Sequence, residues 1–136
     1  MWINGELAVF EGQLKRGPSP KDTYYDEVDI APFLTKGANS ISILVWYFGK
    51  DGFSHNNSGK AALLFDCQAS NFELLSDTSW KASIRREFGT AGLPIPNFRL
   101  PESSIRYDAR LGNFDFTKPN AKRIAWGGTR SYGSPP

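Results

Sequence analysis

Very few side chains in this 136-residue chain are suited to nucleophilic catalysis. A catalytic nucleophile needs a base beside it, and His55 is the one histidine in the sequence. It stands among Gly, Asn and Ser residues, and such a segment holds a base poorly in place. Cys67, the one cysteine, excludes an intramolecular disulfide and is expected to be an ordinary buried thiol. The sequence therefore disfavours a Cys/His catalytic pair.

Carboxylates offer a second kind of chemistry. Asp26, Glu27 and Asp29 form the one acidic cluster, and paired carboxylates can hydrolyse glycosides. However, Asp29 is placed to cap a short helical turn that follows it, so a structural role is favoured. Asp51 and the Asn and Ser oxygens of the 50–60 loop leave a calcium site open, although that loop lacks regular acidic spacing. We predict no catalytic residue, no metal and no cofactor.

The most suggestive group combines aromatic and polar side chains at the end of a predicted strand. An aromatic face stacks on the apolar face of a sugar, while amides and imidazole bind its hydroxyls. The candidate carbohydrate contacts are Trp46, Phe48, Phe53, His55, Asn56 and Asn57. The alternative, which the pattern favours, is that these aromatic side chains bury against the C-terminal segment or a neighbouring domain.

Charge and hydropathy exclude two classes of partner. The net charge is only +2, and no run of adjacent basic residues is longer than a pair such as Arg85 and Arg86. Nucleic-acid binding is therefore not expected, because it needs clustered basic residues. No apolar run approaches the roughly 20 residues that span a bilayer, so no membrane span is predicted.

Short apolar-polar alternations between Gly- and Pro-rich turns predict an all-β fold. Asn4-Gly5 is typical of a type I′ hairpin turn, whose second arm is predicted from Glu6 to Phe10. Only Trp2 and Ile3 precede the turn after Met1, so either the first strand is very short or the chain is part of a larger protein. The predicted elements after the hairpin are strands at 23–28, 39–49, 61–67, 72–75 and 80–85, and a helical turn at 30–34.

These elements favour an antiparallel β-sandwich of jelly-roll, galactose-binding-like type. The strand at 39–49 is the clearest, with Ile41, Ile43, Val45 and Tyr47 predicted to form its core face. The sandwich is predicted over residues 1–86. Residues 87–136 are expected to be irregular, with a possible strand near 104–110 and a linker to a following domain.

Several segments in order resemble the jelly-roll accessory domains that precede the catalytic barrel of bacterial α-L-rhamnosidases, glycoside hydrolase family 78. The resemblance covers about residues 2–110. Strands that the family has before Trp2 are missing, so the sandwich is expected to be incomplete at its N-terminus. The segments that carry the resemblance are Trp2-Ile3-Asn4-Gly5, Tyr24-Tyr25-Asp26-Glu27-Val28-Asp29-Ile30, Leu34 to Asn39, Ile41 to Trp46, Ser58 to Phe65, Ser76 to Lys81 and Tyr107-Asp108-Ala109-Arg110.

This resemblance implies a non-catalytic domain of an α-L-rhamnosidase-like glycoside hydrolase. Its partner would be the catalytic domain of the parent chain, and it would contact a rhamnose-containing glycan if it binds sugar. It also implies a periplasmic or extracellular parent protein. No position matches the family's catalytic carboxylates, so no catalytic residue is carried over. A free-standing carbohydrate-binding module is the main alternative, and a small standalone enzyme is a third.

Overall fold

The computed structural model describes residues 1–10, 25–47, 49, 59–70, 72–90, 105–112, 114–119, 121 and 124–133. These residues form short strands, which all pair antiparallel, and two 3₁₀-helical turns, with no α-helix among them. The predicted all-β class is confirmed, whereas the sandwich arrangement stays a prediction. The strands are β1 (Trp2–Ile3), β2 (Glu6–Leu7), β3 (Ile41–Ser42), β4 (Asp66–Ala69), β5 (Phe72–Leu75), β6 (Lys81–Ala82), β7 (Phe88–Thr90), β8 (Ile105–Tyr107) and β9 (Gly127–Gly128).

The chain forms two compact units. The first comprises Met1–Leu44 and Asn113–Ile124, and the second comprises Val45–Gly112 and Ala125–Pro135. The domain boundary predicted at residue 86 stays a prediction.

The first unit is built on the Asn-Gly hairpin. Asn4 and Gly5 have φ angles of 53° and 93°, as a type I′ turn requires. The turn joins β1 to β2, and β3 pairs with the other edge of β1, so that the sheet order is β2-β1-β3. β2 is shorter than predicted because Ala8 and Val9 both face Met1, as in a β-bulge: both amides donate to the Met1 carbonyl oxygen, and the Met1 ammonium donates to the Val9 carbonyl oxygen at 2.7 Å.

A small core holds this sheet. Ile3 of β1 is fully buried, and Phe116 is 4% exposed. Phe116 lies in a 3₁₀-helix at Asp115–Thr117 and contacts the Trp2 ring edge-on, with centroids 5.4 Å apart. The Ser42 hydroxyl donates to the Phe116 carbonyl oxygen at 2.6 Å. The sequence pattern predicts no regular structure at 111–136, so this helical turn and its core residue were missed.

The long strand predicted at 39–49 is wrong in extent. Of the residues in this range that the structure describes, only Ile41–Ser42 form a strand, because the partner β1 contributes only two residues to the ladder. Val45 and Tyr47, predicted as core, are 44% and 40% exposed. The strand predicted at 23–28 is also not formed where it is described, since residues 25–28 have no regular structure.

The helical turn predicted at 30–34 is present. Ala31–Phe33 form a 3₁₀-helix with a proline in its first turn. The Ala31 amide donates to Oδ1 of Asp29 at 2.9 Å, so the predicted capping contact is made, although Ile30 occupies the N-cap position itself.

The second unit contains three two-stranded ladders. β4 pairs with β5 in the hairpin expected around residue 70, but β4 begins at Asp66 rather than at Ala61. The side chain of Ser76 extends this hairpin, since its hydroxyl oxygen accepts from the Phe65 amide at 3.0 Å. β7 pairs with β8, which confirms the strand near 104–110.

Of the two strands in the β6–β9 ladder, only β6 was predicted from the sequence. β6 ends at Ala82, short of the strand predicted at 80–85, and Ile84 is 89% exposed. Its partner β9 is the pair Gly127–Gly128, which has no side chain to produce an alternating pattern.

Candidate functional site

Trp46 is the one candidate carbohydrate contact among the described residues. Its side chain is 49% exposed, and the neighbouring Val45 and Tyr47 are also exposed. The other five candidates, Phe48, Phe53, His55, Asn56 and Asn57, lie outside the described residues, as does Asp51 of the proposed calcium loop. Their convergence on one site stays a prediction.

Exposed apolar side chains are consecutive at the start of the second unit. Val45, Trp46 and Tyr47 are 44%, 49% and 40% exposed. Single exposed apolar residues are normal, but a consecutive run is typical of a surface that a partner covers. Within the described part of the chain, Ile3 and Phe116 are the buried hydrophobic side chains.

Further aromatic side chains of the second unit are available for contacts. Trp126 is 42% exposed and Tyr132 is 61% exposed. The Lys60 ammonium lies 4.2 Å from the centroid of the Tyr132 ring, a cation–π geometry. Neither Trp126 nor Tyr132 was among the predicted contacts, although two aromatic residues in a polar segment are a usable signal.

Trp80 has a different role from these exposed aromatic residues. Its indole N–H donates to the Leu75 carbonyl oxygen at 2.8 Å, and its ring packs edge-on against Phe65 at 5.3 Å. The Thr129 hydroxyl lies within hydrogen-bond distance of the carbonyl oxygens of Asp77 and Trp80. Trp80 therefore ties the end of the β4–β5 hairpin to the strand region of β9.

An amide network forms the best-defined polar site of the first unit. The side-chain nitrogen of Asn4 donates to the Phe33 carbonyl oxygen at 2.9 Å and to Oδ1 of Asn39 at 2.7 Å. Its side-chain oxygen accepts from the Ser40 amide at 3.0 Å, and its own amide donates to the Ser40 carbonyl oxygen. Both the nitrogen and the oxygen of the Asn4 carboxamide are therefore hydrogen-bonded.

Asn39 organises the loop that faces the hairpin turn. Its side-chain nitrogen donates to the carbonyl oxygens of Thr35 and Gly37, and its Oδ1 accepts from the Thr35 amide at 2.8 Å. Gly37 has a φ of 98°, which only glycine adopts without strain. Both ends of the Asn39 carboxamide are therefore used within the fold.

Several carboxylates of the described residues make structural contacts. Asp29 caps the first helical turn, as above. Within the described residues, no three His, Cys, Asp or Glu side chains are grouped as a metal ion requires. Cys67 is half-buried in β4, more accessible than expected.

Two Arg–carboxylate pairs are seen among the described residues of the second unit, each between residues two apart. Glu87 is 5% exposed and binds the guanidinium of Arg85, with Nε donating to Oε1 at 2.7 Å. Arg110 donates to both carboxylate oxygens of Asp108, at 2.9 Å and 2.6 Å. Arg110 thereby lowers the pKa of Asp108, which keeps this carboxyl charged and unsuited to act as a general acid near neutral pH.

The chain was compared with protein families, curated proteins and solved structures. No family model matches it, and no curated sequence or solved structure does so either. In the part of the chain that the structure describes, no helix has the length and apolar character needed to span a membrane.

Proposed function

We propose that this chain is a non-catalytic β-domain of an α-L-rhamnosidase-like glycoside hydrolase, which packs against the catalytic domain. The observation that carries the proposal is the exposed run Val45–Tyr47 of the second unit, in which an aliphatic side chain, an indole and a phenol ring are each 40–49% exposed. Burying such side chains against a partner is favourable, because it removes apolar surface from water.

The residues behind the family resemblance support a scaffold role. Asn4, Asp29 and Asn39 belong to the resembling segments, and each uses its side chain to hold a turn. Asp108 and Arg110, in the last of those segments, bind each other. None of these groups is left poised for proton transfer. A periplasmic or extracellular parent protein is part of the same proposal.

A binding experiment with separate polypeptides tests the packing role. The chain is mixed with the α/α-barrel of an α-L-rhamnosidase, and complex formation is measured by analytical ultracentrifugation. We expect Trp46→Ala to weaken the complex at least tenfold. Phe10→Ala, which removes an aromatic side chain that is 87% exposed in the other unit, should leave it within twofold. Equal loss in both variants would contradict the proposal.

A free-standing carbohydrate-binding module is the second candidate. It is favoured by the same half-exposed Trp46 indole, because a sugar ring stacks on an accessible aromatic face. In this case the exposed ring binds a glycan instead of a protein, and Trp46→Ala would abolish sugar binding by the isolated chain.

A further inference from the structure

Asn4-Gly5 is the one Asn-Gly pair in the sequence. An asparagine followed by glycine is chemically labile, because glycine has no Cβ to obstruct its own backbone nitrogen. That nitrogen attacks Cγ of the asparagine. A new N–C bond closes a succinimide, and the side-chain nitrogen leaves as ammonia with the proton of the glycine amide. Water then opens the ring to aspartate or isoaspartate, and no other reactant is needed.

The fold opposes this reaction at Asn4. The nitrogen that must leave is bound to the Phe33 carbonyl oxygen and to Oδ1 of Asn39, at 2.9 Å and 2.7 Å. The carbonyl oxygen of the same group accepts from the Ser40 amide at 3.0 Å. Rotating the carboxamide toward the Gly5 nitrogen therefore requires these three hydrogen bonds to break together.

The reaction product does not fit the site that protects the reactant. A carboxylate at this position would place a negatively charged oxygen where an N–H now faces two acceptor oxygens, those of Phe33 and Asn39. Such a group would lose both hydrogen bonds and meet electrostatic repulsion. Isoaspartate would also lengthen the backbone within a two-residue turn whose φ angles are both positive.

We propose that Asn4 is a deamidation site that reacts only when the hairpin opens, and that its conversion to aspartate or isoaspartate then destabilises the closed hairpin. The network with Asn39 controls the reaction, since it sets how often the carboxamide is released. A protein whose hairpin opens repeatedly thus becomes irreversibly altered, and the extent of modification records the accumulated time spent open.

Peptide mapping by mass spectrometry tests this proposal on the full chain. Deamidation at Asn4 is followed in mildly alkaline native buffer and in concentrated urea. We expect the native rate to be at least tenfold lower, which corresponds to an opening free energy of about 1.4 kcal/mol or more. Equal rates in the two solvents would overturn the proposal.

Two variants separate local protection from global stability. Asn39→Ala removes one of the two acceptors of the Asn4 side-chain amide, whereas Ser42→Ala removes the hydrogen bond to Phe116 in the same unit. We expect Asn39→Ala to deamidate at Asn4 several-fold faster than Ser42→Ala when both are compared at equal free energy of unfolding. Equal rates would overturn the role of the network.

The variant Asn4→Asp tests the effect of the product even if Asn39→Ala fails to fold. We expect its Tm to fall well below that of the wild-type chain near neutral pH. Part of the loss should be recovered in acid, where the protonated carboxyl can donate to one of the two acceptors. A Tm equal to that of the wild-type chain at neutral pH would overturn the proposal.

Discussion

The side-chain amide of Asn4 donates to Oδ1 of Asn39 at 2.7 Å, which joins the hairpin turn to a loop 35 residues further along the chain. The Asn4 side chain also binds the backbone of Phe33 and Ser40, and the Asn39 side chain binds the backbone of Thr35. The pair therefore belongs to one hydrogen-bond network. Two turns that would each be marginal alone therefore depend on one another.

This dependence is measurable in a double-mutant cycle. Asn4→Ala and Asn39→Ala should each reduce the free energy of unfolding by about 1–3 kcal/mol, because each leaves donors or acceptors unpaired. The double variant should lose less than the sum, with a coupling of about 1 kcal/mol. Urea unfolding of all four proteins provides the measurement, and additive losses would show that the two residues act independently.

The turn itself sets a steric requirement at Gly5. With φ at 93°, an alanine there would be strained, and Gly5→Ala should cost about 1–2 kcal/mol. Gly128→Ala is the matched control, because a Cβ there would have no atom within 4 Å and its φ lies outside the left-handed region. Comparable Tm values for the two variants would argue against the observed turn.

The two Arg–carboxylate pairs should differ sharply in their contribution to stability. Glu87→Ala removes a buried carboxylate from Arg85, whose side chain is only 15% exposed, and should destabilise by about 3 kcal/mol. Asp108→Ala should matter much less, since Arg110 is 89% exposed and water replaces its partner. Thermal unfolding of both variants measures the two losses of stability. A loss in Asp108→Ala as large as that in Glu87→Ala, or larger, would refute the prediction.

Asp77 and Asp108 should contribute to the loss of folding stability in acid. The pKa of Asp77 is lowered by hydrogen bonds from Ser79, and that of Asp108 by its hydrogen bonds with Arg110. Because these folded-state pKa values lie below the unfolded value of about 4, the stabilisation is present above that value and is lost as the pH falls through the folded-state pKa.

The double variant Asp77→Asn, Asp108→Asn should therefore lose less stability between about pH 5 and about pH 3 than the wild-type chain does. Urea midpoints at the two pH values give the comparison. An unchanged pH dependence would mean that these aspartates titrate alike in the folded and unfolded chain.

Local signals in the sequence predicted the elements that local chemistry determines. Asn4-Gly5 specified a type I′ turn, and Asp29 indicated the helical turn that follows it. The burial of Phe116 was not predictable in this way, because it depends on Trp2 and Ser42, which are distant in the sequence.

Extended pairing was overestimated for a related reason. The alternation from Ile41 to Tyr47 indicates what a strand would bury but not the length of its partner. The partner β1 ends after two residues, and the following aromatic side chains stay exposed. For the candidate site, the sequence selected Trp46, which is accessible, and did not select Trp126 or Tyr132.

Calorimetric titration of the full 136-residue chain with L-rhamnose and rhamnosylated oligosaccharides tests the proposed function most directly. A domain that packs against a catalytic partner should give no saturable heat in this experiment, and the purified chain should not hydrolyse a rhamnoside. Saturable heat that Trp46→Ala removes would contradict the packing role and identify the chain as a carbohydrate-binding module.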